Sequence, residues 1–258
     1  MPKTPINGVG IHYEVHGDGY PLVLSHGLLG TTQMWEGQVE SFSRDHRFIT
    51  WDLRGHGQTE SPTDPSQYSV EIMVDDLYQL LGHLGVKKAV VGGLSFGGYL
   101  SLHFYHHHPE VVSALILTNT GPGYRTAERA AHWNEGLLGR ADILEKGGMQ
   151  GLIDSEYPVP DYTPRELMLT MDPIGVAKFC RGATINPHGV DKLKDIAVPT
   201  LIIIGENDVD LLAAAGYMAA RIPQSEKVVI DNAGHGVNID QPEAFNQVVL
   251  DFLHRIGV

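Results

Sequence analysis

Cysteine is almost absent. Among 258 residues only Cys180 carries a thiol, so no disulfide can form within the chain. A fold stapled by sulfur bridges is thereby excluded, and the usage suits a reducing compartment, which makes the cytoplasm the expected location. Cys180 itself reads as a small buried side chain rather than a nucleophile. Long apolar runs are missing too: no window approaches the ~18 consecutive apolar residues of a membrane span. Met1-Pro2-Lys3-Thr4-Pro5 has no apolar core behind its lysine, so neither a membrane partner nor an export signal is expected. Positive charge is scarce, with 18 Lys and Arg against 31 Asp and Glu and a net charge of −13 with His neutral. Such a surface repels phosphates and anionic lipid, and no nucleic-acid partner is expected. What remains is a chain 42% hydrophobic, apolar enough to exclude disorder and fibrous repeats.

Short apolar runs alternate with helical periods in the first half. Ile11 to Val15, Pro21 to Ser25, Arg47 to Trp51, Ala89 to Gly92 and Ala114 to Thr118 read as strands. Most lack a clean two-residue alternation, as expected of a sheet buried on both faces. Between them, Val70, Met73, Val74, Leu77, Leu80, Leu81 and Leu84 follow steps of three and four. Ser69 is placed to cap that helix and Gly85 to stop it. Helices between strands imply right-handed crossovers and a mostly parallel sheet. From Gly121-Pro122-Gly123 to about Asp195 the pattern is helical, with Trp133, Leu137, Leu138 and Met149 among its apolar residues and no good strand. Strand-like sequence resumes at Leu201 to Ile204 and at Lys227 to Asp231, and a helix from about Pro242 to Ile256 closes the chain. One α/β domain interrupted by a helical insertion is the simplest organisation.

The chemistry starts at Gly93-Leu94-Ser95-Phe96-Gly97-Gly98, between a strand and a helix. A serine on such a tight turn is pushed clear of the backbone, and glycines two residues either side are needed because a Cβ would strike the neighbouring strand or helix. The new helix also aims unpaired N–H groups at the site. A serine hydroxyl needs a base, and the base an acid to orient it. His235, in Ala233-Gly234-His235-Gly236, follows the late strand. Asp208 follows Leu201 to Ile204 in Gly205-Glu206-Asn207-Asp208. In a parallel sheet the loops after strands gather on one rim, so Ser95, Asp208 and His235 are expected to meet there. Asp210, two residues on, is the alternative acid. A tetrahedral oxyanion needs two rigid backbone donors, for which the N–H groups of Phe96 and of Leu28, after His26-Gly27, are the candidates.

These motifs, with Asp52-Leu53-Arg54-Gly55-His56-Gly57, give the chain a resemblance to the α/β-hydrolase superfamily along nearly its whole length. It most resembles small carboxylesterases, enol-lactone hydrolases and cofactor-free haloperoxidase relatives. The resemblance implies an eight-stranded, mostly parallel sheet with helices on both faces and a helical cap between strands 6 and 7. It places the hydrolase core at residues 1–120 and 196–258 and the cap at 121–195. It further implies a Ser-His-Asp triad, no cofactor, and a small ester or lactone as substrate. Carbon–carbon bond hydrolysis or peracid formation would use the same triad. Haloalkane dehalogenases and most epoxide hydrolases of this fold carry an aspartate where Ser95 stands, which disfavours their chemistry. One departure is that Asp208-Val209-Asp210-Leu211 lacks the proline that often follows the acid.

Other polar residues read as structural. The resemblance implies that Asp52 and Arg54 order the loop after the strand ending at Trp51, and His26 is expected to support the oxyanion loop by hydrogen bonding. His106-His107-His108 cannot share a metal, because consecutive helical residues point about 100° apart. No metal site is expected.

Overall fold

The computed structural model describes residues 3–124, 126–183 and 192–258. Part of the expected cap, residues 125 and 184–191, therefore lies outside the described residues. In chain order the strands are β1 (Lys3–Ile6), β2 (Val9–His16), β3 (Tyr20–Ser25), β4 (His46–Trp51), β5 (Ala89–Leu94), β6 (Val112–Thr118), β7 (Thr200–Gly205) and β8 (Ser225–Ile230). The helices are α1 (Glu36–Phe42), α2 (Val70–His83), α3 (Phe96–His107), α4 (Ala127–Ile153), α5 (Arg165–Met168), α6 (Pro173–Gly182), α7 (Val209–Ala219), α8 (Val237–Asp240) and α9 (Pro242–Ile256).

The strands form one eight-stranded sheet in the order β1-β2-β4-β3-β5-β6-β7-β8. β1 and β2 run antiparallel to their neighbours, and β4, β3, β5, β6, β7 and β8 are parallel. Successive residues serve opposite faces, as a pleat requires. Val91, Leu115 and Ile202 pack on the face that also buries Leu77 and Leu80 of α2, Leu100 and Phe104 of α3, and Met218 of α7. Val90, Ile116 and Leu201 pack on the other, with Phe42 of α1 and Phe245, Val249 and Leu253 of α9. Apolar strands with little alternation arise because both faces are covered.

Helix ends follow the local signals. Ser69 accepts the N–H of Ile72 and caps α2, and Gly85, just past its C-cap, takes φ 70°. Between β6 and β7 lie α4, α5 and α6, with no strand among the described residues there. α4 is kinked at Gly148, whose φ of 64° breaks the helical path. Leu137, Leu144, Met149, Met168, Met171 and Cys180 form the insertion's apolar cluster, which also takes in Leu29 from the loop after β3. Phe179, on the same helix as Cys180, lies outside that cluster. It turns toward the main body, its ring 4.8 Å from Phe96 and 4.6 Å from His56. Burial pushes the Cys180 thiol up to about 12, too high for a nucleophile at neutral pH.

Candidate active site

Six parallel strands end on one rim, and the residues just beyond them form the site. Ser95 follows β5 directly, with φ 57° and ψ −118°, a conformation a non-glycine residue holds only when its surroundings impose it. The imposition is visible. Ser95 N–H bonds to Thr118 O at 2.9 Å, and Thr120 Oγ1 donates to Ser95 O at 2.7 Å. A Cβ on Gly93 or Gly97 would collide with Ser25 O, the steric reason for the glycines flanking the serine. Ser95 makes no side-chain capping bond to α3, so its hydroxyl is not consumed in stabilising the helix. Phe96 is the first residue of that helix, where backbone N–H groups have no intrahelical acceptor.

Asp208 and His235 meet directly: His235 Nδ1 lies 2.7 Å from Asp208 Oδ2. Burial raises the Asp208 carboxyl, but hydrogen bonds from His235 and Asn119, the His235 charge and the Leu211 N–H outweigh it, and the group sits below its ordinary value. An ionised carboxylate only accepts, so Nδ1 carries a proton, and the tautomer this bond selects places the imidazole lone pair on Nε2. Asp210 is exposed in the first turn of α7. The carboxylate bonded to the imidazole is therefore that of Asp208.

Two residues that the sequence did not single out frame this pair. Asn119, the first residue after β6, has φ 42° and donates from Nδ2 to Asp208 Oδ2 at 2.6 Å and to Gly234 O at 3.0 Å. Its neighbour Thr120 holds the Ser95 carbonyl. The dipeptide thus ties the acid, the histidine loop and the serine turn together. Their position after a strand on the same rim is the signal that could have found them. Ser95 is linked to the Asp208–His235 pair through these intermediaries, and the Tyr162 ring centroid lies 6.0 Å from that of His235.

The loop after β3 supplies Leu28. Gly30 N–H bonds to Gly27 O at 3.0 Å, making residues 27–30 a turn. A Cβ on Gly27 would sit 3.1 Å from Ser95 Cβ, so this turn lies against the serine. His26 braces it. Leu53 N–H donates to His26 Nε2 at 3.0 Å, which fixes the proton on Nδ1, and that N–H reaches Gly27 O at 2.7 Å. Burial foremost, then the neighbouring His56, holds His26 well below the ordinary imidazole value, so it is neutral. A neutral histidine with both nitrogens engaged is a brace and not a base. Asp52 likewise spends its oxygens on backbone, accepting Thr32 N–H and Gln58 N–H at 2.7 Å each. Arg54 is buried in a two-pronged pair with Asp76, at 2.5 and 2.8 Å. Among the described residues no cluster of three His, Cys, Asp or Glu could hold a metal ion, and no helix is long and apolar enough to cross a membrane.

A strained serine between strand and helix and an Asp–His pair on the same rim of a mostly parallel sheet define the class. The chain belongs to the α/β hydrolase fold family, whose model matches residues 20–147. In structure it is similar to a thermophilic esterase from Thermogutta terrifontis, with TM-score 0.84 and 30% identity over 99% of this chain and 97% of that one. It is also similar to the enol-lactonase from Burkholderia xenovorans LB400, with TM-score 0.83 and 28% identity over 98% and 100% of the two chains. In sequence it is 29% identical, over 96% of each chain, to a putative 2-succinyl-6-hydroxy-2,4-cyclohexadiene-1-carboxylate synthase from Bacillus subtilis (strain 168).

Proposed function

We propose that this hydrolase is a serine esterase or lactonase that cleaves carboxylic ester bonds of small to medium apolar substrates through an acyl-enzyme. The observation that carries the proposal is the Asp208–His235 hydrogen bond at 2.7 Å, which leaves Nε2 as the only free base of the imidazole. Nε2 takes the Ser95 proton as the hydroxyl oxygen attacks the carbonyl carbon. The N–H groups of Leu28 and Phe96 hold the resulting oxyanion, and Asp208 offsets the imidazolium charge. Collapse expels the alkoxide, which takes the proton from His235. Water deprotonated by His235 then attacks the acyl-enzyme, releasing the acid and restoring Ser95. No step needs a cofactor. Residues 121–195, which carry α4 to α6, are assigned as the cap over this site.

Ser95→Ala is the direct test. It should lower kcat on p-nitrophenyl butyrate by about 10⁴-fold or more while thermal unfolding stays near that of the parent. A fluorophosphonate probe should label the parent at Ser95 and leave the variant unlabelled. Undiminished turnover in Ser95→Ala would remove the proposal.

A further inference from the structure

One side chain of the connection between α4 and α5 stands apart from the rest of the insertion. Tyr162 is buried at 3% exposure, yet it packs with Leu24, Met34, Leu94 and Val237 beneath the rim and not with the insertion's own cluster. Its hydroxyl donates to Leu28 O at 2.6 Å. The same hydroxyl is 2.7 Å from the point a Gly27 Cβ would occupy, and that point is 3.1 Å from Ser95 Cβ. Its ring faces the imidazole of His235 at 6.0 Å. Tyr162 therefore touches the oxyanion turn while standing beside the serine and the histidine.

The bond to Leu28 matters because of the turn it reaches. In the turn closed by Gly30 N–H and Gly27 O, Leu29 has φ 61° and Leu28 is not among the positive-φ residues, the pattern of a type II turn. That position favours glycine, and a leucine there is strained. Rotating the Leu28–Leu29 peptide by half a turn gives type I, which relieves the strain. The rotating peptide carries Leu28 O and Leu29 N–H, so the flip swings Leu28 O away from Tyr162 and reaches the Leu28 N–H, which lies in the preceding peptide, by shifting the Leu28 Cα that the two peptides share. Such backbone strain and a buried hydrogen bond are comparable in size, so one bond can hold the strained form. Burial keeps the phenol protonated, and it remains a donor across the working pH range.

We propose that Tyr162 is a positioning residue for the acyl-transfer step: its hydroxyl locks the turn of residues 27–30 in the type II form and keeps the Leu28 N–H aimed at the developing oxyanion. The proposal rests on the reading of Leu28 as an oxyanion donor. It makes the helical insertion, through one hydroxyl, a condition for assembling the oxyanion site.

Tyr162→Phe keeps the ring and its packing and removes only the donor. Its kcat should fall about tenfold, with KM for p-nitrophenyl butyrate within about twofold, as expected for an interaction that matters in the transition state. Affinity for a trifluoromethyl ketone, which forms an oxyanion on Ser95, should fall by the same factor as kcat/KM. In a Leu29→Gly background the turn is unstrained, so adding Tyr162→Phe should change kcat by less than about threefold. An equal loss in both backgrounds, or a rise in KM at unchanged kcat, overturns the proposal. Should Leu29→Gly not fold, the match between the ketone and kcat/KM losses decides alone. A parent-like kcat in Tyr162→Phe alongside an inactive Ser95→Ala would sink this inference and leave the hydrolase proposal standing. Full activity in Ser95→Ala would remove both.

Discussion

Asp208 Oδ2 accepts two donors, His235 Nδ1–H and Asn119 Nδ2–H, and each side of that arrangement makes a distinct demand. The imidazole needs an acceptor to keep its proton on Nδ1; an amide in place of the carboxylate presents a donor as readily as an acceptor and permits the wrong tautomer. Asp208→Asn should therefore lower kcat by about 10³- to 10⁴-fold with little change in KM. Asp210→Asn, altering an exposed carboxylate on α7 with no bond to the imidazole, should leave kcat within about twofold because charge changes at exposed sites have small effects. Steady-state kinetics on the two purified variants separates the acids that the sequence left open. Asn119 escapes a sequence reading for a physical reason. It donates to Asp208 and Gly234 across 89 and 115 residues of chain, and only its place at the end of a strand on the rim, not any local pattern, marks it out.

At the scale of elements, the insertion meets the main body through the Phe179 and Tyr162 side chains and through two close-packed glycines of α6. Gly175 and Gly182, two turns apart on α6, face residues 55, 61 and 68. A Cβ on Gly175 would meet Ser61 and approach Gly55, and one on Gly182 would meet Tyr68 O. Gly175→Ala forces the helix off this contact, and overpacking of this kind costs about 1–3 kcal/mol. For a chain of this size that is a fall in Tm of roughly 2–4 °C per kcal/mol, readable by calorimetry. None of this docking is legible in the sequence, where glycines in a helical stretch read only as weakness. The sheet was legible from β2 through β8; for β3 to β7 this is because strands covered on both faces are apolar along their length, whereas the partly exposed β2 and β8 showed only short β-rich runs. The turn serine was legible because its glycines are steric necessities. β1 was not. Pro5 lies inside it, and proline argues against a strand unless the strand is an edge, as β1 is. The Asn7-Gly8 pair that follows, with φ 48° and 75°, is the hairpin signal that could have exposed it. Tyr162 lies in a proline-rich connection with no periodicity, so its reach into the core depends on tertiary structure alone.

For the whole molecule, acid should act first through two buried imidazoles. His26 and His56 are fully buried neighbours, ring centroids 5.2 Å apart, behind the turn of residues 27–30. Burial foremost pulls His56 down to about 4, and His26 is well below its ordinary value for the same reason. An unfolded chain binds these protons near pH 6.5 while the folded one refuses them. Their stabilisation is complete above that pH and shrinks as the pH falls toward 4. For His56 alone the loss between pH 7.5 and pH 5 is about 2 kcal/mol. The surface works in the opposite direction, since titrating carboxylates on a chain of charge −13 relieves self-repulsion on acidification. A falling Tm between pH 6.5 and 5 therefore belongs to the interior. His56→Phe retains a ring against Phe179 and removes one titrating site, so its Tm should decline with acid less than the parent's. Thermal unfolding of both proteins at half-unit steps across that window measures the two slopes, and equal slopes would show that buried histidine protonation does not govern the acid limit.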